Sequence, residues 1–174
     1  MIRLAELNGM TQSGFRDALA GIFEHSPWVP ERAWAQHPFG DVDQLHRALC
    51  DVVAHADPRE QQALIDAHPQ LAGKAAIRGE LTDASSREQA GAGLDQCSEQ
   101  EFAELKRLND AYMARFGFPF ILAVRGQSRA SIIDALGKRL LRTREQEFAE
   151  ALEQIARIAR FRLAERIDVA ENHR

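Results

Sequence analysis

The sequence predicts an all-α fold, a two-layer antiparallel helical bundle with one buried extended segment near residues 117–124. Three observations carry this. Apolar residues return at spacings of three and four in six or more segments, which puts them on one face of a helix. Most of these segments follow a Ser, Thr or Asp whose side-chain oxygen suits the free N–H groups of a first helical turn. One run, Phe116-Gly117-Phe118-Pro119-Phe120-Ile121-Leu122-Ala123-Val124, is almost continuously apolar and holds Gly and Pro, so it does not suit a regular helix and reads as buried extended chain.

Taken in order, Thr11 opens a segment whose Phe15, Leu19, Ile22 and Phe23 share a face, and Pro27 and Pro30 interrupt it. Asp41 with Gln44 starts a second helix, carrying Val42, Leu45, Leu49, Val52 and Val53. Asp57-Pro58-Arg59-Glu60 sets a cap, a first-turn proline and a capping-box acid ahead of Leu64 and Ile65. Pro69 bars continuation and holds His68 extended at the helix end. Gln70 to Ala84, rich in Gly, Lys and Ala, reads as a long surface loop. Ser85-Ser86-Arg87-Glu88 reads as a capping box, and Ser98-Glu99-Gln100-Glu101 as another, ahead of Phe102, Leu105, Leu108, Tyr112 and Met113. Ser128 or Ser131 starts the next helix. Thr143 with Gln146 caps the last one, whose core face is Phe148, Leu152, Ile155, Ala159 and Leu163.

A chain of 174 residues suits a single domain over 1–174. With 22 basic and 26 acidic residues interspersed, and a net charge of -4, there is no broad basic face for nucleic-acid phosphates, so no nucleic-acid partner is expected. No stretch approaches the roughly 18 apolar residues of a membrane span, and MIRLAELNGM lacks a long apolar leader core. ENHR is not a peroxisomal address of the Ser-Lys-Leu type. Cys50 and Cys97 have no CxxC spacing and read as small apolar residues in a reducing compartment. A cytoplasmic location follows as the expectation. His25, His37, His46, His55 and His173 show no metal-ligand spacing with a neighbouring carboxylate, and no metal is expected.

Alone, His68 is a helix-end histidine facing the local dipole, and Glu88 is a capping acid. Their surroundings change this reading. Ala67-His68-Pro69-Gln70-Leu71-Ala72, Gly79-Glu80-Leu81-Thr82, Ser85-Ser86-Arg87-Glu88-Gln89-Ala90-Gly91, Leu108-Asn109-Asp110-Ala111-Tyr112 and Phe116-Gly117-Phe118-Pro119-Phe120-Ile121 resemble, in order and spacing, the family of 2-oxo-4-hydroxy-4-carboxy-5-ureidoimidazoline (OHCU) decarboxylases. The resemblance runs from about Leu7 to Leu163 and takes in Arg139-Leu140 and Arg162-Leu163.

It implies an all-α homodimeric enzyme with no metal or organic cofactor, which decarboxylates OHCU to (S)-allantoin in urate breakdown. Position by position, it implies His68 and Glu88 as catalytic residues. It places substrate binding on Pro69, Ser85, Ser86, Arg87 and Gln89, on the main chain of Phe120, Ile121, Leu122, Ala123 and Val124, and on Arg162. The chemistry is compatible with having no cofactor. In OHCU the carbon bearing the carboxylate adjoins a C=N bond, so the substrate accepts the departing electron pair itself and leaves the protein to orient groups and move protons. Two other readings fit the helices: a non-catalytic helical dimerisation or regulatory module, and a related decarboxylase acting on another ureido-imidazoline.

Overall fold

Side-chain caps start most of the helices, several of them where the sequence anticipates. A computed structural model describes residues 1–73, 76 and 78–168. Its elements are β1 (Ile2–Arg3), α1 (Leu4–Asn8), α2 (Gln12–Ala18), α3 (Trp28–Ala33), α4 (Val42–Ala54), α5 (Pro58–Asp66), α6 (Asp83–Gly91), α7 (Glu99–Phe116), α8 (Arg129–Arg139), α9 (Arg144–Arg166) and β2 (Ile167–Asp168). Short 3-10 turns lie at Trp34–Gln36 and Leu94–Gln96. The fold is all-α apart from one parallel pair of two-residue strands, with Ile2 opposite Ile167 and Arg3 opposite Asp168.

Thr11 accepts the Gly14 N–H at 3.2 Å, Asp41 accepts from Gln44 at 2.6 Å, and Ser98 and Glu101 close a reciprocal capping box. Ser128, not Ser131, caps α8, with Ser131 reaching back as the box partner. Thr143 and Gln146 exchange bonds of 3.0 and 3.2 Å at the start of α9.

Three expectations are corrected. Helix α2 stops at Ala18, and turns with Gly21 at φ +81° carry the chain onward, although Phe15, Leu19, Ile22 and Phe23 are all buried as their spacing demands. Pro27 and Pro30 do not break a helix but begin one: Pro27 caps α3 and Pro30 lies in its first turn, where a missing N–H costs no intrahelical bond. The stretch 70–84 is not wholly a surface loop, because Leu71 and Ala72 are buried and Ala76 and Arg78 are helical; Lys74, Ala75 and Ile77 lie outside the described residues.

The chain forms two compact units. The first comprises Met1–Leu64 with Ala156–Arg174, and the second Ile65–Ile155. Within the first, Phe15 stacks on Phe39 at 5.9 Å, Asn8 exchanges two hydrogen bonds with the Phe39 backbone, and His46 meets the Ala156 carbonyl at 2.8 Å. Burial, with Asp51 adding, pushes the Cys50 thiol up to about 11 and leaves it protonated at neutral pH. Within the second, Tyr112, Phe116, Phe118 and Phe120 form an aromatic cluster with ring centroids 4.6 to 6.1 Å apart.

Candidate active site

The site is built on α7. Asn109 and Tyr112 are three residues apart, which places both on one helix face, and both are buried. Asn109 Nδ2 donates to the Leu71 carbonyl at 2.9 Å, and so holds the stretch that follows His68. Tyr112 packs edge-on against Phe120 at 5.4 Å, and so holds the non-helical segment. Two stretches separated by some fifty residues of sequence are thereby seated one helical turn apart. Burial, with Glu147 adding and Arg139 opposing, pushes the Tyr112 phenol up, so it stays protonated across the physiological range.

His68 follows α5, its N–H donating to the Ile65 carbonyl at 3.1 Å. The residue is only 6% exposed and its Nε2 is buried, which does not suit a surface histidine facing a helix dipole. Beyond Pro69 the backbone turns sharply, and Ala72 takes φ +49°, a left-handed conformation that costs a non-glycine residue about 1 kcal/mol or more. Gln89 of α6 fixes that turn: its Oε1 accepts from the Ala72 N–H at 2.9 Å and its Nε2 donates to the Gln70 carbonyl at 3.3 Å.

Helix α6 begins one turn before the sequence suggests. Thr82 is its cap, accepting from the Ser85 N–H at 3.3 Å, and Asp83 is the first helical residue. Ser85 therefore sits at the third helical position and Glu88 in the helix interior, so Glu88 is not a capping acid. Ser85 and Gln89 are buried, Glu88 is half-buried, and Ser86 and Arg87 are exposed.

The run after α7 is non-helical, and residues 119–124 carry no regular secondary structure. Gly117, at φ +77°, ends α7 in the left-handed conformation that glycine adopts without a Cβ clash. Pro119, Phe120, Ile121, Ala123 and Val124 are buried and Leu122 is half-buried. Two residues hold this backbone: Arg139, named in the sequence only as part of the family resemblance, and Gln154, which sequence reasoning missed. Arg139 Nη1 donates to the Ile121 carbonyl at 2.6 Å, with its guanidinium 4.4 Å from the Phe120 ring centroid, and Gln154 Oε1 accepts from the Ala123 N–H at 3.0 Å.

Arg162 lies in the first unit. It is buried, with Nη1 donating to the Gly21 carbonyl at 2.8 Å and to Glu24 at 2.7 Å. A cavity of about 590 Å³ opens in the second unit, with Ala72, Leu81, Ser86, Gln89 and Phe102 in its wall. Ser86 and Gln89 are the predicted binding residues that line it; His68 and Phe120–Val124 do not.

A model of the OHCU decarboxylase family matches residues 8–164. The chain belongs to the OHCU decarboxylase family. Among its relatives, the 2-oxo-4-hydroxy-4-carboxy-5-ureidoimidazoline decarboxylase of Haloferax volcanii is 41% identical over 95% of this chain and 96% of its own. The uric acid degradation bifunctional protein PucL of Bacillus subtilis is 46% identical over 95% of this chain, which spans only 33% of that longer protein. The crystal structure of an (S)-allantoin synthase superposes with a TM-score of 0.76 at 32% identity, over 98% of this chain and 56% of the other. The family's elements thus account for nearly all of the described chain.

Proposed function

We propose that this chain is a carboxy-lyase that decarboxylates OHCU to (S)-allantoin in urate degradation, as a single domain over 1–174. Family membership, together with relatives named for this activity at 41% and 38% identity over more than nine-tenths of both chains, supports the reaction. The single structural observation behind the site is the seating of the His68 stretch and the 120–124 segment on adjacent turns of one α7 face.

In this reading the C–CO2 bond breaks, its electron pair moves onto the neighbouring carbon and out to the ring nitrogen of the C=N bond, and that nitrogen takes up a proton. The resulting enol-like diamine then collapses: its hydroxyl proton leaves, the carbonyl forms, and a proton is delivered to one face of the carbon bearing the ureido group. His68 handles this proton transfer, because imidazole both takes and gives a proton near neutral pH. Delivery from one fixed side sets the (S) configuration. Glu88, with no capping duty, binds the ureido and ring N–H groups as a charged acceptor. The Phe120–Val124 main chain binds the substrate carbonyls.

Gln89 acts through Gln70 and Ala72, to which its amide is bonded. Pro69 stiffens the turn after His68, and Ser85, Ser86 and Arg87 supply the rest of the α6 stretch. Arg162 is assigned to a substrate oxygen on the family resemblance alone. No helix among the described residues is long and apolar enough to cross a membrane, and we place the enzyme in the cytoplasm as a homodimer working without metal or organic cofactor.

The direct test generates OHCU from urate with the two preceding activities and follows its disappearance by ultraviolet absorbance and circular dichroism. The expected result is accelerated, single-enantiomer formation of (S)-allantoin. Decay at the spontaneous rate overturns the assignment.

A further inference from the structure

The peptide groups on either side of Leu122 are each tied at one end. In a trans peptide the C=O and N–H point to opposite sides, and His37-Pro38 is the one cis bond among the described residues. Arg139 takes the Ile121 carbonyl at 2.6 Å, so the Leu122 N–H of the same peptide is turned the other way. Gln154 takes the Ala123 N–H at 3.0 Å, so the Leu122 carbonyl of that peptide is also turned the other way. The Leu122 N–H is therefore directed away from Arg139, and the Leu122 C=O away from Gln154. Neither has a hydrogen-bond partner among the described residues, and Leu122 is the one half-buried residue in an otherwise buried run from 118 to 124. A donor and an acceptor of one residue on a largely buried backbone require a complementary partner.

The tethers are themselves held. Arg139 is paired with Glu147, Nε to Oε1 at 2.8 Å and Nε to Oε2 at 3.1 Å, and Gln154 Nε2 donates to Glu150 at 2.7 Å. The Glu150 bond leaves the Gln154 carbonyl oxygen as the end presented to Ala123, which fixes the amide orientation. All of these groups lie in the second unit.

We propose that Arg139 and Gln154 are positioning residues that orient the peptides flanking Leu122, so that its main chain presents a paired donor and acceptor to the –NH–C(=O)– edge of a cyclic ureide. This rests on the proposed function, which it deepens by assigning the edge recognised and the residues that prepare its partner. A ligand edge carrying both groups makes two bonds to Leu122. One with its nitrogens alkylated keeps only the carbonyl, and leaves the Leu122 oxygen unmatched.

The test uses the full chain, labelled with 15N, and hydantoin as the probe, with 1,3-dimethylhydantoin as its alkylated counterpart. Hydantoin is expected to move the Leu122 amide resonance saturably and to bind at least about tenfold more tightly than the dimethyl compound. Gln154→Met removes the acceptor at nearly constant volume. It is expected to weaken hydantoin binding about tenfold, and to raise KM for OHCU by a similar factor while kcat changes less than about threefold. The double variant Gln154→Glu/Glu150→Gln restores an acceptor facing Ala123 and a donor facing it from position 150, and is expected to recover most of the affinity. A Leu122 resonance that does not respond to hydantoin overturns the proposal even if Gln154→Met fails to fold. Wild-type affinity in a folded Gln154→Met also overturns it. Absence of OHCU decarboxylation, by contrast, removes the proposed function and leaves the Leu122 response as a separate readout.

Discussion

Arg139 and Glu147 form an ion pair inside the second unit, Nε to Oε1 at 2.8 Å, with side chains 9% and 0% exposed. A pair this deep adds little net stability when intact, because desolvation offsets its attraction, but removing Arg139 leaves the buried Glu147 with only the more distant Arg142, at 3.5 Å. Arg139→Met is therefore expected to cost about 3–5 kcal/mol in urea unfolding, and Arg139→Met/Glu147→Leu clearly less than the sum of the two single changes. Strict additivity of the two would show that the pair is not coupled.

The start of α6 separates stability from catalysis. Because Thr82 is the cap, Thr82→Ala is expected to lower stability by about 1 kcal/mol. Glu88→Gln is expected to reduce kcat/KM for OHCU by at least about tenfold, the loss expected for a charge-assisted bond. A thermal loss in Glu88→Gln with unchanged kinetics would return Glu88 to a structural role.

Caps and apolar spacing made most of the helices legible in the sequence, and Gly117 and Pro119 marked the non-helical run. Both signals act over a few residues and depend little on tertiary context. What escaped was set by distant partners. The cap of α6 was misplaced by three residues because Ser85-x-x-Glu88 satisfies the same pattern as a true box while Thr82 lies one turn upstream. The face of α9 was read from its apolar residues, yet its buried stripe also carries Glu147, Gln154 and Arg162, at 0%, 4% and 6% exposure. Polar residues recurring seven and eight apart in register with buried Ala151, Ile155 and Ala159 were the available signal, since such positions are kept only where they meet buried partners. Asn109 was visible within its motif, but its bond to Leu71 spans 38 residues and no local pattern reports it.

The Ser98–Glu101 box predicts a specific acid dependence. The Ser98 N–H, and next the Arg129 guanidinium, hold the Glu101 carboxyl below its ordinary value of 4.5. A carboxylate lowered in the folded state stabilises it fully above the unfolded value, and that contribution disappears as pH falls through the folded one. The difference in unfolding midpoint between wild type and Glu101→Gln is expected to be constant near neutrality and to shrink below about pH 4. A difference independent of pH would assign the effect to helix packing.

His68 and Asn109 distinguish proton transfer from placement. In His68→Asn the side chain keeps its polarity and much of its volume but no longer takes or gives a proton near neutral pH. We therefore expect kcat to fall on the order of 100-fold or more, with the unfolding midpoint little changed. Asn109→Leu removes the donor that meets the buried Leu71 carbonyl, at an expected cost of about 1–3 kcal/mol. Releasing the turn after His68 shifts the imidazole by a fraction of an ångström to an ångström, and a misplacement on that scale is sufficient for a loss approaching 100-fold. The two variants then part by the state of the histidine. Asn109→Leu retains the imidazole and loses activity through its placement, so its unfolding midpoint falls together with kcat, whereas His68→Asn loses kcat with the midpoint little changed. A wild-type kcat in His68→Asn would move the proton-transfer role to another residue.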